Sequence, residues 1–370
     1  MNKKNMKQEN KVKTGPTTGS LATAAALASL LKITKNKNTN KVKIKTPTTI
    51  LNIEIKKIEE INKNKVKTTC IKYPYSDPDV TVGLEINATV ELEDKKNKKE
   101  ETIKITGGKG VGTITKPGLQ IPIGESAINP VPRKMIIKNL EKHVPENKIA
   151  KVTISIPKGE EIANKTMNPR LGIKKGISIL GTTGVAKAMD EDAYKQSIVK
   201  QIDIAKAEGI KELVFVPGNI GEKLALKNLK ITKEQIIQTG NYIGFMFEEA
   251  EKRNIKEFTF FGHIGKLVKV AGGIFNTKHA IADCRCEIFA AHTALINCDK
   301  KLIKSIFNSQ TTEEIIDILK KENIDEIVIN NIAKSIKIKC LDRFNLDLNV
   351  ILVDMEGNIL NSNYNDKLIK

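Results

Sequence analysis

The sequence predicts a mixed α/β protein of two domains, an N-terminal α+β sheet domain followed by a Rossmann-like, doubly wound parallel-sheet domain. The first observation is a length of 370 residues with 40% hydrophobic residues, which suits two domains with proper cores. The second is a first half in which strand-like runs surround a glycine- and proline-rich segment. The third is a second half that alternates apolar strand-like runs, glycine turns and helical patterns, which is typical of a parallel sheet.

The predicted domains span residues 14–170 and 171–370. Residues 1–13 are polar and are expected to form a disordered basic tail, because no apolar stretch of a secretory signal follows them. The five cysteines include no CxxC pair, and an odd count without a signal predicts a cytoplasmic protein. No run reaches the eighteen apolar residues of a membrane span, so no membrane partner is expected.

The first domain opens on TGPTTGSLATAAALASLLK, which predicts a helix over residues 19–31 with Thr17, Thr18 or Ser20 as its cap. Its small residues favour close packing on a sheet, and its N-terminus suits an anion. Strand-like runs follow, separated by polar connections. They are residues 41–45, 50–55, 65–72, 81–92 and 102–106, and a helix over 133–142 and a strand over 151–156 come later.

Residues 107–136 contain six glycines and four prolines in thirty positions, too many for a helix or a central strand. Glycine permits close backbone approach and proline fixes the backbone, so we expect a rigid, irregular wall with exposed N–H groups. Such walls usually face a ligand. The alternative is a structural loop that covers a core.

In the second domain, three apolar runs end in glycine turns: GISILGTTG, ELVFVPGNIG and EFTFFGHIG. Because the carboxyl ends of parallel strands meet at one edge, residues 181–184, 218–221 and 262–265 are expected to form one binding edge. Helices are predicted over 190–208, 241–254 and 279–297, and the run LNVILVDMEGNIL predicts a closing strand and turn. None of the glycine turns has the spacing of a dinucleotide fingerprint, and no P-loop is present.

The net charge of +19 comes from 62 basic residues, of which only five are arginine. Lysine spread over solvated faces, 4% aromatic residues and no tryptophan argue against a nucleic-acid partner, while a basic surface favours an anionic small substrate. Arg133, Arg170 and Arg285 adjoin the glycine- or asparagine-rich segments. They mark positions that require a planar guanidinium, either for a ligand or for a structural salt bridge.

The order of these segments is similar to that of one family. TGPTTGSLATAAA, DPDVTVG, GGKGVGTITKPGLQIPIGESAINPVPRKMI, NPRLGIKKGISILGTTG, PGNIG, GNYIGFMFEEA and GHIGKLVKVAGGIFNT with ADCRCEI resemble the cobalt-precorrin-5B C1-methyltransferase family, known as CbiD. The resemblance extends from about residue 14 to residue 297. It implies transfer of a methyl group from S-adenosyl-L-methionine to ring carbon C-1 of a cobalt-bearing corrinoid in anaerobic cobalamin biosynthesis.

Under this resemblance, glycine loops supply N–H groups to the methyl donor and arginines bind the carboxylates of the corrinoid. The expected donor-binding residues are Gly181, Thr182, Thr183, Gly184, Gly218, Asn219, Gly221 and Asp283. The expected substrate-binding residues are Thr17, Thr18, Gly108, Gly110, Asn129, Arg133, Arg170 and Arg285. No metal ligands are expected, since the histidines lack metal-ligand spacing and cobalt enters only within the substrate.

His263, between two glycines at a strand end, is the candidate general base or corrinoid contact, with a structural role as the alternative. Asp190, Glu191 and Asp192 are further carboxylate candidates for the ribose, with helix capping as the alternative. Asp77 and Asp79 in DPDVTVG are expected to form an Asx turn, with a role in the proton balance of the macrocycle as the alternative. A homo-oligomer is compatible with the sequence. The competing functions are another α/β transferase with a phosphorylated ligand and, less favoured, a basic nucleic-acid-binding protein.

Overall fold

The structure, a computed structural model, describes residues 14–75, 79–97, 100–187 and 191–370. The predicted tail over residues 1–13 lies outside the described residues. The chain divides into two compact units, Met1–Ala193 and Tyr194–Lys370. The division falls after residue 193 and not at the predicted residue 170, because the intervening segment pairs with strands of the first unit. Within the described ranges, no helix has the length and apolar character needed to cross a membrane.

The elements of the first unit are as follows. Its helices are α1 (Thr18–Lys35), α2 (Pro130–Leu140) and α3 (Gly159–Ala163), with a 3-10 turn over Glu141–His143. Its strands are β1 (Thr14–Pro16), β2 (Lys41–Lys45), β3 (Ile50–Glu54), β4 (Lys57–Asn62), β5 (Lys65–Ile71), β6 (Glu85–Asp94), β7 (Ile103–Gly107), β8 (Gly110–Val111), β9 (Thr113–Ile114), β10 (Lys148–Ser155), β11 (Ile173–Lys174), β12 (Gly176–Ile177) and β13 (Val185–Lys187).

Five strands form the main sheet among the described residues, in the order β4-β5-β6-β10-β7. Only the pairing of β10 with β7 is parallel. Val66, Val90 and Val152 are register partners across β5, β6 and β10, and all three are buried. β2 and β3 form a separate hairpin. The edge strand β4 was not predicted, because Lys57, Glu59 and Glu60 obscure the alternation of a half-buried strand.

Helix α1 lies at the centre of this unit and confirms the predicted helix, which it extends to Lys35. Its residues 18–30 are all buried, and most of them are alanine, serine, threonine or glycine. Small side chains permit the helix to lie close to the sheet, where Ser29 Oγ donates a 3.0 Å hydrogen bond to the carbonyl of Ala88 and lies 2.8 Å from the Thr68 hydroxyl. The residue composition of the helix therefore fixes its buried position.

The segment GISILGTTG is not the first strand of a parallel sheet, as the sequence had predicted. Its first two residues form β12 of the first unit instead, which pairs in parallel with β8, and the preceding β11 pairs antiparallel with β9. The pairing of β12 with β8 depends on three glycines, Gly110, Gly159 and Gly176. A Cβ on Gly110 would lie 1.8 Å from the carbonyl oxygen of Ile156. Backbones this close exclude side chains, so the glycines serve packing between segments.

The second unit contains the following elements. Its helices are α4 (Glu191–Ala207), of which the first three residues belong to the first unit, α5 (Asn219–Asn228), α6 (Ile243–Glu251), α7 (Ile264–Ala271), α8 (Arg285–Ala294), α9 (Lys300–Phe307), α10 (Thr312–Lys321) and α11 (Asp325–Phe344), with 3-10 turns over Lys233–Gln235 and Asp366–Leu368. Its strands are β14 (Val214–Val216), β15 (Ile236–Gln238), β16 (Glu257–His263) and β17 (Asp347–Val353).

Within the described residues these strands form one parallel sheet in the order β15-β14-β16-β17. A cluster of phenylalanines packs on it, where Phe215 stacks on Phe258 with ring centroids 4.0 Å apart and Phe247 contacts Phe260 edge-on. The chain leaves β14 through α5 towards β15 and returns through α6 to β16 on the other side of β14. The loops after β14 and β16 therefore diverge, an arrangement that in parallel α/β sheets is typical of a ligand-binding edge.

Candidate functional site

A surface cavity of about 400 Å³ lies at the carboxyl edge of the parallel sheet in the second unit, within the usual range for small-molecule sites. The ends of β14 and β15 form most of its wall, and α4 and α7 complete it. Its lining residues are Tyr194, Pro217, Gly218, Asn219, Gln238, Gly240, Asn241, Tyr242, Lys266 and Lys278. Two of the predicted donor-binding residues, Gly218 and Asn219, thus lie together in one cavity.

Gly218 is the N-cap of α5 and has φ +144° and ψ −160°, a conformation that side-chain-bearing residues rarely adopt. A Cβ at this position would meet no atom within 4 Å. The neighbouring Gly221 is different, because its Cβ would lie 3.1 Å from the ring of Pro217. Gly218 thus exposes its backbone to the cavity beside a helix N-terminus, whereas Gly221 is buried beneath it.

Gln238, the last residue of β15, links the strand to α5. Its amide nitrogen Nε2 donates to Asn219 Oδ1 at 2.9 Å and to Glu222 Oε2 at 2.6 Å. Glu222 is 8% exposed and also lies 3.6 Å from Lys233 Nζ. These contacts fix the Gln238 side chain at the cavity wall.

A lysine and two tyrosines give the cavity its charge and its aromatic surface. Lys266 Nζ donates to the carbonyl oxygen of Pro217 at 3.3 Å. Burial lowers the pKa of Lys266, and the nearby charge of Lys269 lowers it further. The rings of Tyr194 and Tyr242 lie 5.8 Å apart, and burial raises the pKa of Tyr194, which keeps its hydroxyl neutral. The cavity therefore offers a cation, N–H donors and aromatic faces.

His263 ends β16 and is the N-cap of α7, as its position after the apolar run predicted. Its buried Nε2 atom lies 3.0 Å from Glu313 Oε1 without an aligned hydrogen bond. The buried hydroxyl of Thr312 is also without a hydrogen-bond partner among the described residues. Gly265 separates the two, since its Cβ would lie 2.9 Å from His263 Cε1 and 2.9 Å from Thr312 Oγ1. Little space remains between the imidazole and α10.

Asp283, expected to bind the donor, is surrounded by basic side chains of this chain. Arg285 binds it with both arms of its guanidinium, through Nε to Oδ1 at 2.5 Å and Nη2 to Oδ2 at 3.0 Å. Lys269 Nζ lies 3.6 Å and His279 Nδ1 lies 3.4 Å from the same carboxylate. The hydrogen bond from Arg285 holds the pKa of Asp283 below its usual value although burial opposes it. Asp283 and Arg285 are thus each other's partners.

The predicted donor-binding loop over residues 181–184 belongs to the first unit and not to the edge of the parallel sheet. It lies across the start of α1, where Gly184 O accepts from Thr17 N at 3.2 Å and from Ser20 Oγ at 2.6 Å. A Cβ on Gly181 would lie 2.3 Å from Thr17 Oγ1. The expectation that Gly181, Thr182, Thr183 and Gly184 share one edge with Gly218 is therefore wrong, because β13 pairs with β1.

Thr17 and Thr18, expected to contact the substrate, are buried at the start of α1. Thr17 Oγ1 caps the helix by accepting from Ser20 N at 3.2 Å. Thr18 Oγ1 accepts from Leu180 N at 3.0 Å. These hydroxyls connect the helix start to residues 180–184.

The glycine- and proline-rich segment has two parts. Around Gly108 and Gly110 it is held by backbone hydrogen bonds, such as Gly108 N to Ile154 O at 2.7 Å. Residues 115–125 are mostly exposed, with Ile123 at 59%. Asn129 is the N-cap of α2, and the helix starts three residues before the predicted 133 because prolines occupy its first turn. Only the exposed part has the form of a ligand-facing wall.

Arg133 uses its guanidinium on this segment. Nε donates to Ile128 O at 2.9 Å, Nη1 donates to Ile105 O at 3.3 Å, and Nη2 lies 3.3 Å from Glu125 Oε2. The planar guanidinium predicted to be required here therefore binds backbone carbonyls of this chain. Arg170 is half-buried in the turn that precedes β11.

Asp79 forms the predicted Asx turn, in which its Oδ1 accepts from Thr81 N at 2.8 Å. Its other oxygen pairs with buried Lys72 and accepts from the hydroxyl of Tyr75 at 2.9 Å. Asp77 and Asp190 lie outside the described residues. Lys72 was missed because one lysine among 62 basic residues gives no signal of burial.

Sequence reasoning also missed Gln238, Tyr194, Tyr242 and Lys266. A signal existed for Gln238, since it ends an apolar run and precedes the turn residues Thr239 and Gly240. The short strand β15, however, was not recognised. Tyr194 and Lys266 come from helices, and only the folded chain brings them to the cavity.

A parallel α/β unit with a glycine-lined cavity at the carboxyl edge of its sheet is typical of enzymes that bind a small molecule there. The chain belongs to the CbiD family. A family model described as CbiD matches residues 5–188, and one described as CbiD, C-terminal domain, matches residues 276–364.

Relatives cover nearly the whole chain. It is 61% identical over 351 residues to the cobalt-precorrin-5B C(1)-methyltransferase of Methanobrevibacter smithii, a match that covers 95% of this chain and 97% of the relative. Enzymes of the same name from Methanosphaera stadtmanae and Methanocaldococcus jannaschii are 49% and 46% identical; the matches cover 94% and 95% of this chain and 91% and 96% of those relatives. A crystal structure of a cobalamin biosynthesis protein (cbiD) from Archaeoglobus fulgidus is 28% identical, with a TM-score of 0.38, and covers 70% of this chain and 79% of that one.

Proposed function

We propose that this chain is a methyltransferase that moves the methyl group of S-adenosyl-L-methionine to ring carbon C-1 of cobalt-precorrin-5B in cobalamin biosynthesis. The observation that supports this most strongly is the 61% identity, over 95% of the chain, to a relative named for that reaction. Cobalt belongs to the acceptor and not to the enzyme. The acceptor is anionic, and a chain with a net charge of +19 attracts it over long range.

We propose further that the second unit is Rossmann-like and that its cavity binds the methyl donor. Four parallel strands with a cavity at the carboxyl ends of β14 and β15 support this. The donor carries a carboxylate, which the backbone N–H groups after Gly218 and the Lys266 ammonium are suited to bind. The tilted rings of Tyr194 and Tyr242 offer apolar faces to its adenine.

The donor supplies an activated methyl group on sulfur, and the reaction is a displacement in which the leaving group needs little acid assistance. The residues of this chain then serve mainly to orient the donor and to exclude water. His263, at the end of β16 beside the same edge, is the proposed proton acceptor or polar contact to the acceptor ring. Its contact with Glu313 restricts the ring orientation.

The residues proposed to form the acceptor site have different roles, some in direct contact with the acceptor and others in support. Arg170 and Arg285 are proposed to bind corrinoid carboxylates, with the Asp283 carboxylate holding Arg285 in place. Arg133 is proposed to support the exposed wall over residues 115–125 through its carbonyl contacts. Asn129 and Gly108 are proposed to lie on either side of Arg133. Thr17, Thr18, Gly110 and the loop over residues 181–184 stabilise the first unit instead.

The donor site is tested by titrating the protein with S-adenosylhomocysteine in a calorimeter. Gly218→Val is expected to abolish measurable binding, because the side chain would enter the cavity and the backbone would have to leave φ +144°. Gly209→Val is the matched control, since Gly209 also has a positive φ and open space around its Cβ but does not line the cavity. Equal affinity in the Gly218 variant and the wild-type chain would place the donor elsewhere.

The acceptor contacts are tested by replacing Arg170 and Arg285 with lysine, one at a time. Loss of a bidentate carboxylate contact should weaken corrinoid binding by about 1–3 kcal/mol and leave donor affinity unchanged. Arg343→Lys is the control, because its guanidinium stacks over Phe275 and Phe344. Turnover and acceptor affinity at the wild-type level in both variants would make these arginines structural.

A further inference from the structure

We propose that Gln238 accepts a hydrogen bond from a ribose hydroxyl of the methyl donor and that Glu222 positions it to do so. The inference rests on the proposed function and deepens it, since it assigns the group that recognises the sugar. It replaces Asp283 in that role, because Asp283 is already bound by Arg285.

The argument begins with the chemistry of the side chains around Gln238. An ionised carboxylate only accepts hydrogen bonds, so the group that faces Glu222 Oε2 at 2.6 Å must be the NH₂ end of the Gln238 amide. The same NH₂ group donates to Asn219 Oδ1 at 2.9 Å. Both donors of the amide are therefore used, and the two contacts fix which end of it faces the protein.

The carbonyl end of the amide then points away from Glu222 and Asn219. Among the residues that the structure describes, Gln238 Oε1 has no hydrogen-bond partner. Gln238 also lines the cavity. A half-buried acceptor without a partner is unfavourable unless water or a ligand donor satisfies it, and a sugar hydroxyl is such a donor.

The position of Gln238 on the sheet supports the same conclusion. It ends β15, the neighbour of β14, and β14 leads directly into Gly218 at the start of α5. In parallel α/β sheets that bind nucleotides, an acceptor about one strand beyond the glycine turn binds the ribose, and the helix N-terminus binds the anionic group. Here a glutamine occupies that place, with a buried carboxylate behind it.

Calorimetry of the full chain tests the proposal with S-adenosylhomocysteine and with its 2′-deoxy and 3′-deoxy analogues. The wild-type chain is expected to bind the parent compound about 5- to 10-fold more tightly than one of the analogues, the factor of one neutral hydrogen bond. Gln238→Leu should remove this preference while binding of the deoxy analogue stays within about twofold of wild type. Gln238→Asn should also remove it, since the shorter side chain no longer reaches both Glu222 and the ligand.

Glu222 acts through Gln238, so its variant is tested with a quantity that a general loss of stability does not alter. Glu222→Gln allows the Gln238 amide to turn, so the ratio of the two affinities should fall below that of wild type while the thermal midpoint of unfolding changes little. Gln310→Leu is the matched control, because Gln310 is exposed in the loop between α9 and α10. Its ratio should equal that of wild type.

The outcomes separate the two proposals. A wild-type chain that binds S-adenosylhomocysteine in a Gly218-dependent way, but whose Gln238→Leu variant keeps the full preference for the hydroxyl, overturns the assignment of Gln238 and leaves the donor site standing. Binding that is absent, or that is insensitive to Gly218→Val, overturns both. A preference lost in the Gln238 and Glu222 variants and kept in the Gln310 control confirms the assignment.

Discussion

Gly110 and Gly176 are register partners of two short parallel strands, and a Cβ on Gly176 would lie 2.2 Å from the carbonyl oxygen of Gly110. A Cβ on Gly110 would in turn lie 1.8 Å from the carbonyl oxygen of Ile156. Two segments far apart in the sequence thus meet backbone to backbone. This contact explains Gly110, which the sequence alone associated with a ligand.

Gly110→Ala should therefore unfold or strongly destabilise the first unit. The new methyl group clashes with backbone atoms, and φ +76° is unfavourable for alanine, so we expect a loss of about 3 kcal/mol or more. Urea denaturation followed by circular dichroism measures it. Gly124→Ala is the control, because φ there is +89° but the space is open, and it should cost about 1–2 kcal/mol. Equal losses in the two variants would contradict the packing explanation.

The Asp79 carboxylate should make stability depend on pH in acid. Burial raises its pKa, but hydrogen bonds from Lys72 and Thr81 outweigh burial and hold the pKa at about 2, below the ordinary 3.8. Because the folded-state pKa is lowered, the stabilisation is complete above pH 3.8 and is lost as the pH falls towards 2. Asp79→Asn should lower the free energy of unfolding at pH 7 by about 2–3 kcal/mol.

Urea denaturation at a series of pH values checks this prediction. The difference between wild type and Asp79→Asn should shrink between pH 4 and pH 2. Asp94→Asn is the matched control, since Asp94 pairs with Lys148 at 2.8 Å but its side chain is 78% exposed. A difference for Asp79→Asn that stays constant down to pH 2 would show that the carboxylate charge is not the cause.

Lys266→Met should separate binding from stability. Burial followed by the charge of Lys269 lowers the Lys266 pKa, so the charged form is disfavoured in the folded chain and the substitution should not reduce stability at pH 7. Affinity for S-adenosylhomocysteine should fall by about 1.5–3 kcal/mol if the ammonium binds its carboxylate. Calorimetry and thermal unfolding give the two quantities.

The control is Lys223→Met, which removes a charge from an exposed position on α5. It should leave both quantities unchanged. Unaltered affinity in Lys266→Met would mean that the lysine only ties α7 to Pro217. If stability and affinity fall together in Lys266→Met, the lysine likewise serves only to tie α7 to Pro217.

His263→Ala should lower turnover by about 10²- to 10⁴-fold while donor binding is largely kept, the range for a general base. His263→Asn distinguishes the roles, because an amide preserves a hydrogen bond but does not take up the proton. His279→Ala is the control, since His279 is a histidine of the same unit with an 81% exposed side chain. Steady-state assays with a corrinoid acceptor provide the rates, and wild-type rates in both His263 variants would assign the residue to the scaffold.

Local patterns sufficed wherever one element determines its own structure. The buried helix α1 follows from TTGSLATAAALASLL, because a threonine cap and a run of small residues are local properties. The parallel pairing of β14 and β16 follows from the alternation of apolar runs with helices. His263 at a strand end and the Asx turn of Asp79 were predictable for the same reason. The resemblance to the CbiD family likewise required only the order of the motifs.

The sequence by itself thus determined the family, the mixed α/β class and most elements, since each depends on residues near in the chain. The tertiary structure alone decided which glycines meet a ligand and which meet another backbone. Gly181 and Gly218 both have positive φ, but Thr17 fills the space beside one and the other is open. The tertiary structure also decided that Asp283 faces Arg285 and that Gln238 faces the cavity. A contact between distant residues depends on the whole packed chain, and no local pattern encodes it.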